Sequence, residues 1–427
     1  MNLTIEKAIY GGSGLARAEG KAIFVPFTLP GEIVEAKAVN DRGSYAEAEL
    51  VQILEVSPER TAPACPHFAE CGGCHYQHAS YPQQLEMKRQ ILSETLERAR
   101  LAHLPDIEIV SGPPLRYRNR VRFHIDRATS KLCYKKRASH SNLAVDVCPI
   151  LAPVLEDALK RWNASSNPWK LGKDFDEVEF FTNGDESALL VTLWTGSQTK
   201  AAQAALQRLW PEIKRGNSNA VGAAVYSTDG KNHASRLLAS AGETSFLYEA
   251  GSRKYRVSAG SFFQVNRLLI DPLVALVTQD SAGVLAWDLY AGVGLFSRAL
   301  ADRFQKVVAV ESSPNSVRDL RQNLTEPAHR IVASSTLEFL RRARTGEKEK
   351  PDYVVVDPPR AGLGKEVTAL LAEVRPPHIT YVSCDPATLS RDLKSLLDSG
   401  YFLDRLHMVD MFPQTFHLES VAVLSLR

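Results

Sequence analysis

The sequence predicts a multidomain α/β protein: a doubly wound carboxyl-terminal domain, a small amino-terminal β-barrel, and a β-rich middle. Three observations carry this. From about residue 284, strand-like runs (VLAWDLYA, KVVAVES, HRIVAS, DYVVVDPP, HITYVSCD) are each followed by helix-length sequence. Residues 1–57 alternate short apolar runs with turn signals, GGSG, LPGE and NDRGS. Between these regions, three of the six cysteines bunch at Cys65, Cys71 and Cys74.

The barrel is expected over residues 1–57. A proline-bearing stretch then leads into the cysteines, and apolar residues Leu85, Ile91, Leu92 and Leu96 mark a helix within 82–100 that can pack on the carboxyl-terminal domain. The middle domain, 60–260, holds the runs VRFHID, DEVEFFTN, SALLVTLW and GAAVYST. The last domain, 261–427, ends in two strand-like runs, LDRLHMVDMF and SVAVLSLR, with no helix between them, which predicts an antiparallel hairpin at the sheet edge.

Composition narrows the function classes. With 51 basic and 49 acidic residues the net charge is +2, so a polyanion would have to be held by local patches. There is no apolar run long enough for a membrane helix, and MNLTIEKAIY lacks the apolar stretch of a signal peptide, so a cytoplasmic protein is expected. Six cysteines are too few for a disulfide scaffold in a chain of 427 residues. Monomer is the default oligomeric state.

The α/β domain carries a cofactor signature. In DLYAGVG, Gly292 and Gly294 let the backbone turn tightly and approach a ligand. Glu311 ends the next strand, where a carboxylate can accept both ribose hydroxyls. The absent third glycine and the terminal hairpin favour a nucleoside cofactor over NAD, and S-adenosylmethionine fits. Asp357 follows the fourth strand, and Pro358 and Pro359 end that strand and stiffen its loop.

Cys384 sits at the carboxyl end of the fifth strand, before Pro386 and Thr388 open a helix. The positive end of that helix is expected to lower the thiol pKa. Such a thiolate suits methylation at carbon 5 of uracil, because its addition to carbon 6 makes carbon 5 nucleophilic. The carbon 5 proton must later leave, and Glu419 at the start of the last strand is the candidate base.

FFQVN, DLYAGVG, DPPRAG, SCDPATLSRD and HLES together resemble the RNA 5-methyluridine methyltransferase family, across nearly the whole chain. Residues 1–57 resemble the OB-like TRAM RNA-binding barrel, and the cysteine region resembles the iron-sulfur domain of the ribosomal RNA branch. The resemblance implies a class I, Rossmann-like methyltransferase domain, Cys384 as nucleophile, and Glu419 as base. It further implies that Gln264, Tyr290, Glu311 and Asp357 line the S-adenosylmethionine site, with Asp357 also near the uracil and Arg360 orienting the base. Two positions depart from the family: Ser335 replaces the usual Asp or Asn near the adenine, and Ala291 replaces a frequent Cys. The substrate implied is 23S ribosomal RNA, with the transfer RNA T-loop uridine as alternative and no DNA. The rivals are an amino-methyltransferase using the same DPP loop and a non-catalytic RNA-binding assembly factor.

Cys65, Cys71 and Cys74, with Cys148 as fourth ligand, satisfy either zinc or a cubane by thiolate count; the resemblance implies [4Fe-4S]. Cys133 is a space-filling residue on this reading. Arg116, Arg118, Arg120 and Arg122 recur at period two, so a strand would turn all four toward one RNA-facing surface, extended by Lys131, Lys135, Lys136 and Arg137. Phe262 or Phe263 is a candidate to stack on a base, and Phe263 is taken into the RNA-contact set.

Overall fold

Alternating apolar residues along the first strands (Leu15, Ile23, Val25, Val34, Ala36, Ala46, Ala48) turn to one side, leaving charged neighbours in water. In the computed structural model this closes a separate core beneath a six-stranded sheet running from Asn2–Thr4 to Tyr45–Glu55. The described residues are 1–427 apart from 102, 165–173, 197–198, 228–235, 279–280 and 347–349.

The middle of the chain builds a seven-stranded mixed sheet from Arg120–Ile125, Leu132–Lys135, Asn142–Ala144, Glu177–Thr182, Leu189–Thr195, Ala220–Ser227 and Leu237–Gly242. Helices Pro153–Ala164 and Thr199–Gly216 contribute Leu155, Leu159, Leu206 and Leu209 to its core. The following hairpin, Ser245–Ala250 with Arg253–Ser258, instead gives Phe246, Tyr248, Tyr255 and Val257 to a core shared with Leu273, Val274 and Phe296 of the carboxyl-terminal region.

The third sheet has eight strands in the order Arg330–Ala333, Phe304–Glu311, Gly283–Leu289, Tyr353–Val356, His378–Ser383, Glu419–Leu426, Tyr401–Val409 and Ile107–Val110. The first five are mutually parallel. Their runs of Val and Ile are buried because both faces are covered. After Arg330–Ala333 the chain returns to the other side of Gly283–Leu289, so the strand order reverses between Gly283–Leu289 and Tyr353–Val356. Such a switch point opens a crevice at the carboxyl ends of the strands. Glu419–Leu426 runs antiparallel to His378–Ser383, pairing Ser420 with Ser383. Its first residue therefore meets the carboxyl end of its neighbour, which brings Glu419 beside Cys384.

The helix expected within 82–100 spans Tyr81–Arg98, with Ser80 capping its start through Gln83 N. Met87, Ile91, Leu92 and Leu96 pack into the core of the eight-stranded sheet. On the same helix the fully buried Lys88 donates to Asp410 Oδ1 at 2.6 Å and to the Phe412 carbonyl at 2.9 Å. Tyr81 donates to the other Asp410 oxygen at 2.9 Å. Burial lowers the Lys88 pKa, and the Asp410 charge opposes that shift.

Removing one partner of a buried pair strands the other charge. Lys88→Met is therefore expected to cost about 3–5 kcal/mol of stability, and adding Asp410→Leu should recover much of it. Urea denaturation midpoints of the two variants test this; equal losses would contradict it.

Candidate active site

The residues of the cofactor signature meet at the switch point. Tyr290 takes a left-handed conformation (φ 72°), a costly choice for a side chain of that size, as its amide and that of Ala291 both donate to the Val310 carbonyl. Gly292 N donates to Glu311 Oε2 at 2.8 Å, and Ser313 N to Oε1 at 2.6 Å. The carboxylate thus ties the glycine loop to the next strand and keeps lone pairs for a ligand. A Cβ on Gly292 would meet nothing within 4 Å, so the loop fronts open space there.

Gln264 is brought to the crevice by a segment anchored on both sides. Asn119 Nδ2 donates to its carbonyl at 3.1 Å, while Asn266 Nδ2 donates to the Met411 carbonyl at 3.2 Å. Ser261, just upstream, donates to Asp319 at 2.7 Å.

Asp357 and Cys384 lie at the ends of adjacent parallel strands. Asp392 joins their two segments, accepting from Leu363 N at 2.7 Å and from the Tyr381 hydroxyl at 2.8 Å. Gly362 turns against it with so little room that a Cβ would lie 2.5 Å from Asp392 Oδ2. Asp385 caps helix Pro386–Asp398, its Oδ1 accepting from Ala387 N and Thr388 N. The Arg360 side chain is exposed at the mouth, and its carbonyl accepts from Thr388.

Among the described residues, neither the Asp357 nor the Glu419 carboxylate accepts a hydrogen bond, though Glu419 is only 4 % exposed. Burial, reinforced by the Asp288 charge, pushes Asp357 up to about 7. Burial, then the Asp357 charge, raises Glu419 well above the carboxylate range. Cys384 is pushed up to about 11 by burial and by the charges of Glu419 and Asp357, with Arg360 opposing. The lowered thiol pKa expected from the helix start is therefore corrected: Cys384 precedes the cap, and desolvation beside two carboxyls outweighs the dipole.

The loop from Asp410 to Leu418, which delivers Glu419, touches every other region. His75 N and Tyr76 N donate to the Gln414 carbonyl at 2.8 and 3.0 Å, Gln84 Oε1 accepts from Gln414 N, and Tyr117 donates to the Pro413 carbonyl. No motif announced this joint.

Phe412, Thr415 and His417 of that loop share a cavity of about 340 Å³ with Cys65, Cys71, Cys74 and Cys148. The loop around Cys71 is laid on strand Leu132–Lys135, with Gly72 N donating to the Lys135 carbonyl at 3.0 Å, and Tyr134 donates to Cys148 Sγ at 3.7 Å. Among the described residues no group of three or more His, Cys, Asp or Glu is gathered to hold a metal ion. Cys133 is buried and outside that cavity.

The RNA-contact candidates fare unevenly. The strand begins at Arg120, Arg118 makes only isolated bridges to Leu151 and Asn266, and Arg116 adopts φ 57°, so the four arginines do not form one stripe. Arg118 donates to the Arg120 carbonyl and lines the cysteine cavity. Arg120 is bound to Glu179 at 2.6 Å and to the Ser261 carbonyl. Arg122 lies 3.4 Å over the Trp194 ring and pairs with Glu177. Lys135 donates to Asn142, Lys136 pairs with Glu70, and Arg137 lies over Phe27; Arg116 and Lys131 are exposed. Phe263 is corrected: it is 2 % exposed among Tyr248, Tyr255 and Phe181, and its neighbour Phe262, 65 % exposed, is the ring facing solvent. Their order along an irregular segment, which no alternation rule reads, decides which ring is outside.

A family model described as tRNA (uracil-5-)-methyltransferase matches residues 80–427, and a TRAM domain model matches residues 1–51. The chain belongs to the tRNA (uracil-5-)-methyltransferase family. It is an RNA uracil-C5 methyltransferase with an amino-terminal TRAM domain, and S-adenosylmethionine is the family's methyl donor. It is 34 % identical to an uncharacterized RNA methyltransferase of Aquifex aeolicus, covering 100 % of this chain and 99 % of that one. It is 32 % identical to the 23S rRNA (uracil(1939)-C(5))-methyltransferase RlmD of Shewanella amazonensis, covering 99 % and 95 %. The solved Pyrococcus abyssi tRNA (uracil-54, C5)-methyltransferase in complex with S-adenosyl-L-homocysteine superposes with a TM-score of 0.79 at 25 % identity, over 99 % of this chain and 100 % of that one. No helix among the described residues is long and apolar enough to cross a membrane.

A thiol pushed up to about 11 is mostly protonated at neutral pH, and its thiolate fraction rises about tenfold per pH unit. Alkylation of Cys384 by iodoacetamide, read on its own peptide by mass spectrometry, should follow that slope from pH 7 to 9. Asp357→Asn, by removing a negative neighbour, should speed it at fixed pH; an unchanged rate would show that the two groups do not interact.

Proposed function

We propose that the chain methylates carbon 5 of a uridine in 23S ribosomal RNA, with Cys384 as nucleophile and Glu419 as base. The observation that carries the chemistry is the convergence of one thiol and two raised carboxyls at the sheet's switch point. The ribosomal target is supported by near full-length relatives named for that activity, several at 32–33 % identity. The transfer RNA reading is supported by the description of the family model and by the solved Pyrococcus abyssi relative at 25 % identity.

Bound S-adenosylmethionine would supply a methyl group on a positively charged sulfur. Gln264, Tyr290, Gly292, Glu311 and Asp357 are the residues placed to hold it, Glu311 through the lone pairs its two backbone donors leave free. The Cys384 thiolate adds to carbon 6 of the uracil, forming a C–S bond and an enolate, and carbon 5 then takes the methyl group as its bond to the donor sulfur breaks, leaving a neutral thioether. Glu419 accepts the carbon 5 proton, the 5,6 double bond re-forms, and the C–S bond breaks to release the thiolate. Asp357, half-exposed to the crevice, is suited to share a proton with Glu419 and to face the uracil. Arg360 at the mouth offsets negative charge developing on the enolate. Exposed Phe262, Arg116, Lys131 and the half-exposed Arg122 are the surface groups best placed for RNA.

Cys65, Cys71, Cys74 and Cys148 front one cavity, and four cysteine thiols are the donor set a [4Fe-4S] cluster takes. Such a cluster would tie the loop around Cys71 to the strand before Cys148. Purified protein should contain iron and acid-labile sulfide in equal amounts, and zinc alone would refute this assignment.

RNA carrying 5-fluorouridine should trap the protein as a covalent complex that survives denaturing gels and disappears in Cys384→Ala, because fluorine cannot leave as a proton. Glu419→Gln should accumulate the same complex on ordinary RNA, with turnover down by about 100-fold or more. Below the raised pKa of Glu419 its carboxyl is protonated and cannot accept the carbon 5 proton, so turnover should fall with falling pH at values above the ordinary carboxylate range, where an unperturbed glutamate would still be ionised. Mass-spectrometric mapping of 5-methyluridine in RNA from cells with and without the gene decides the target; loss confined to transfer RNA would overturn the ribosomal assignment.

A further inference from the structure

Residues 261–264 carry side chains of opposite kinds. Phe262 is 65 % exposed, whereas Gln264 is only 7 % exposed and its side-chain amide makes no hydrogen bond among the described residues. A buried amide without a partner is costly unless a ligand completes it. The segment has no regular structure of its own, so Gln264 must be fixed by what lies beside it.

Residues 117–120, leading into strand Arg120–Ile125, run antiparallel along this segment. Asn119 N donates to the Val265 carbonyl at 2.9 Å, Arg267 N donates to the Tyr117 carbonyl at 3.0 Å, and Arg118 bridges Asn266. Arg120 adds its side chain to the pairing. One guanidinium nitrogen donates to the Ser261 carbonyl and the other to Glu179 at 2.6 Å, while Cζ lies 4.7 Å from the centre of the Phe181 ring. Asp319 holds the same residue by a different group, accepting from Ser261 Oγ at 2.7 Å and from Ser258 N at 2.8 Å. It is fully buried on helix Pro314–Asn323, which opens just after Glu311. Ser261 is thus gripped through its carbonyl by the middle sheet and through its hydroxyl by the helix that follows Glu311.

We infer that Arg120 is a positioning residue for methyl-donor binding: anchored on Glu179, it fixes the Ser261 carbonyl and so sets the Gln264 amide relative to Glu311. A member of the arginine-rich run thereby serves the cofactor instead of the RNA. The inference rests on the reading above that Gln264 and Glu311 hold S-adenosylmethionine. Lysine cannot take over this role, because a single ammonium lacks the rigid fork that reaches Glu179 and the Ser261 carbonyl together.

The test uses the full chain, titrated with S-adenosylhomocysteine by calorimetry in the absence of RNA. Heat denaturation and filter binding of a 23S ribosomal RNA transcript without cofactor accompany it. Arg120→Lys should weaken S-adenosylhomocysteine binding about fivefold, the effect of one hydrogen bond, with RNA affinity unchanged. Glu179→Gln keeps an oxygen for Arg120 and should lower the melting temperature yet leave S-adenosylhomocysteine affinity nearly unchanged, which separates positioning from stability of the sheet. Gln264→Ala should weaken binding as well, and adding Arg120→Lys to it should cost nothing further, because the arginine acts through that amide. Full affinity in Arg120→Lys, additive losses in the double variant, an equal loss in Glu179→Gln, or weakened RNA binding with cofactor binding intact would each overturn the inference. If the unaltered chain bound no S-adenosylhomocysteine, or Gln264→Ala bound it equally well, the reading of the cofactor site would fall, and this inference with it.

Discussion

The buried pairing of Lys88 with Asp410 is the constraint on which the arrangement of this molecule turns. Taking both charges out of water is costly, and it is tolerated because Tyr81 and the Phe412 carbonyl complete the geometry. The pair pins one end of the loop that runs to Glu419, while Gln84, His75, Tyr76 and Tyr117 hold the remainder through backbone hydrogen bonds. The loop that leads to Glu419 is therefore not free but held by three regions distant from it in sequence.

This explains how one crevice can hold two carboxyls with no hydrogen-bond partner among the described residues. Left to itself, a loop would carry Glu419 out to water and relieve the desolvation that raises its pKa. The register of Ser420 with Ser383 and the clamp on Asp410 prevent that from either end. Burial beside two carboxyls makes the resting Cys384 thiol a poor nucleophile, an effect the solvent-exposed Arg360 only partly opposes.

Much of this was legible in the sequence because motifs at strand ends carry their own positions. DLYAGVG, the strand ending at Glu311, DPPRAG and SCDPATLSRD each join an apolar run to a turn, and a parallel sheet can only bring such ends to one edge. The terminal hairpin was equally readable, and with it the place of Glu419, but its expected position at the sheet edge is corrected: Ile107–Val110 adds in parallel outside Tyr401–Val409, a pairing between segments far apart in sequence. What failed were inferences of local pattern. Period-two spacing from Arg116 to Arg122 implies one face only if all four lie in a strand, and the backbone at Arg116 is left-handed. Arg120 turned inward because Glu179 lies on the adjacent strand, a pairing of partners 59 positions apart that no window can see. The thiol pKa failed for a related reason: the helix dipole is a local property, whereas the two carboxyls beside Cys384 arrive from other strands.

The contacts between domains were invisible for the same reason, and they change what the barrel is. At Gly12, whose φ of 90° already disfavours any side chain, the barrel turn also lies so close to His75 that a Cβ would come within 2.9 Å of the His75 Cβ. His75 follows Cys74 directly and packs on Phe416, so the cysteine segment, the barrel turn and the loop of the base meet in one aromatic cluster. Rings packed edge to face at 4.6 and 5.2 Å transmit displacement because neither can move without opening a void. The barrel turn is thus packed, through His75 and Phe416, against the segment three residues before Glu419.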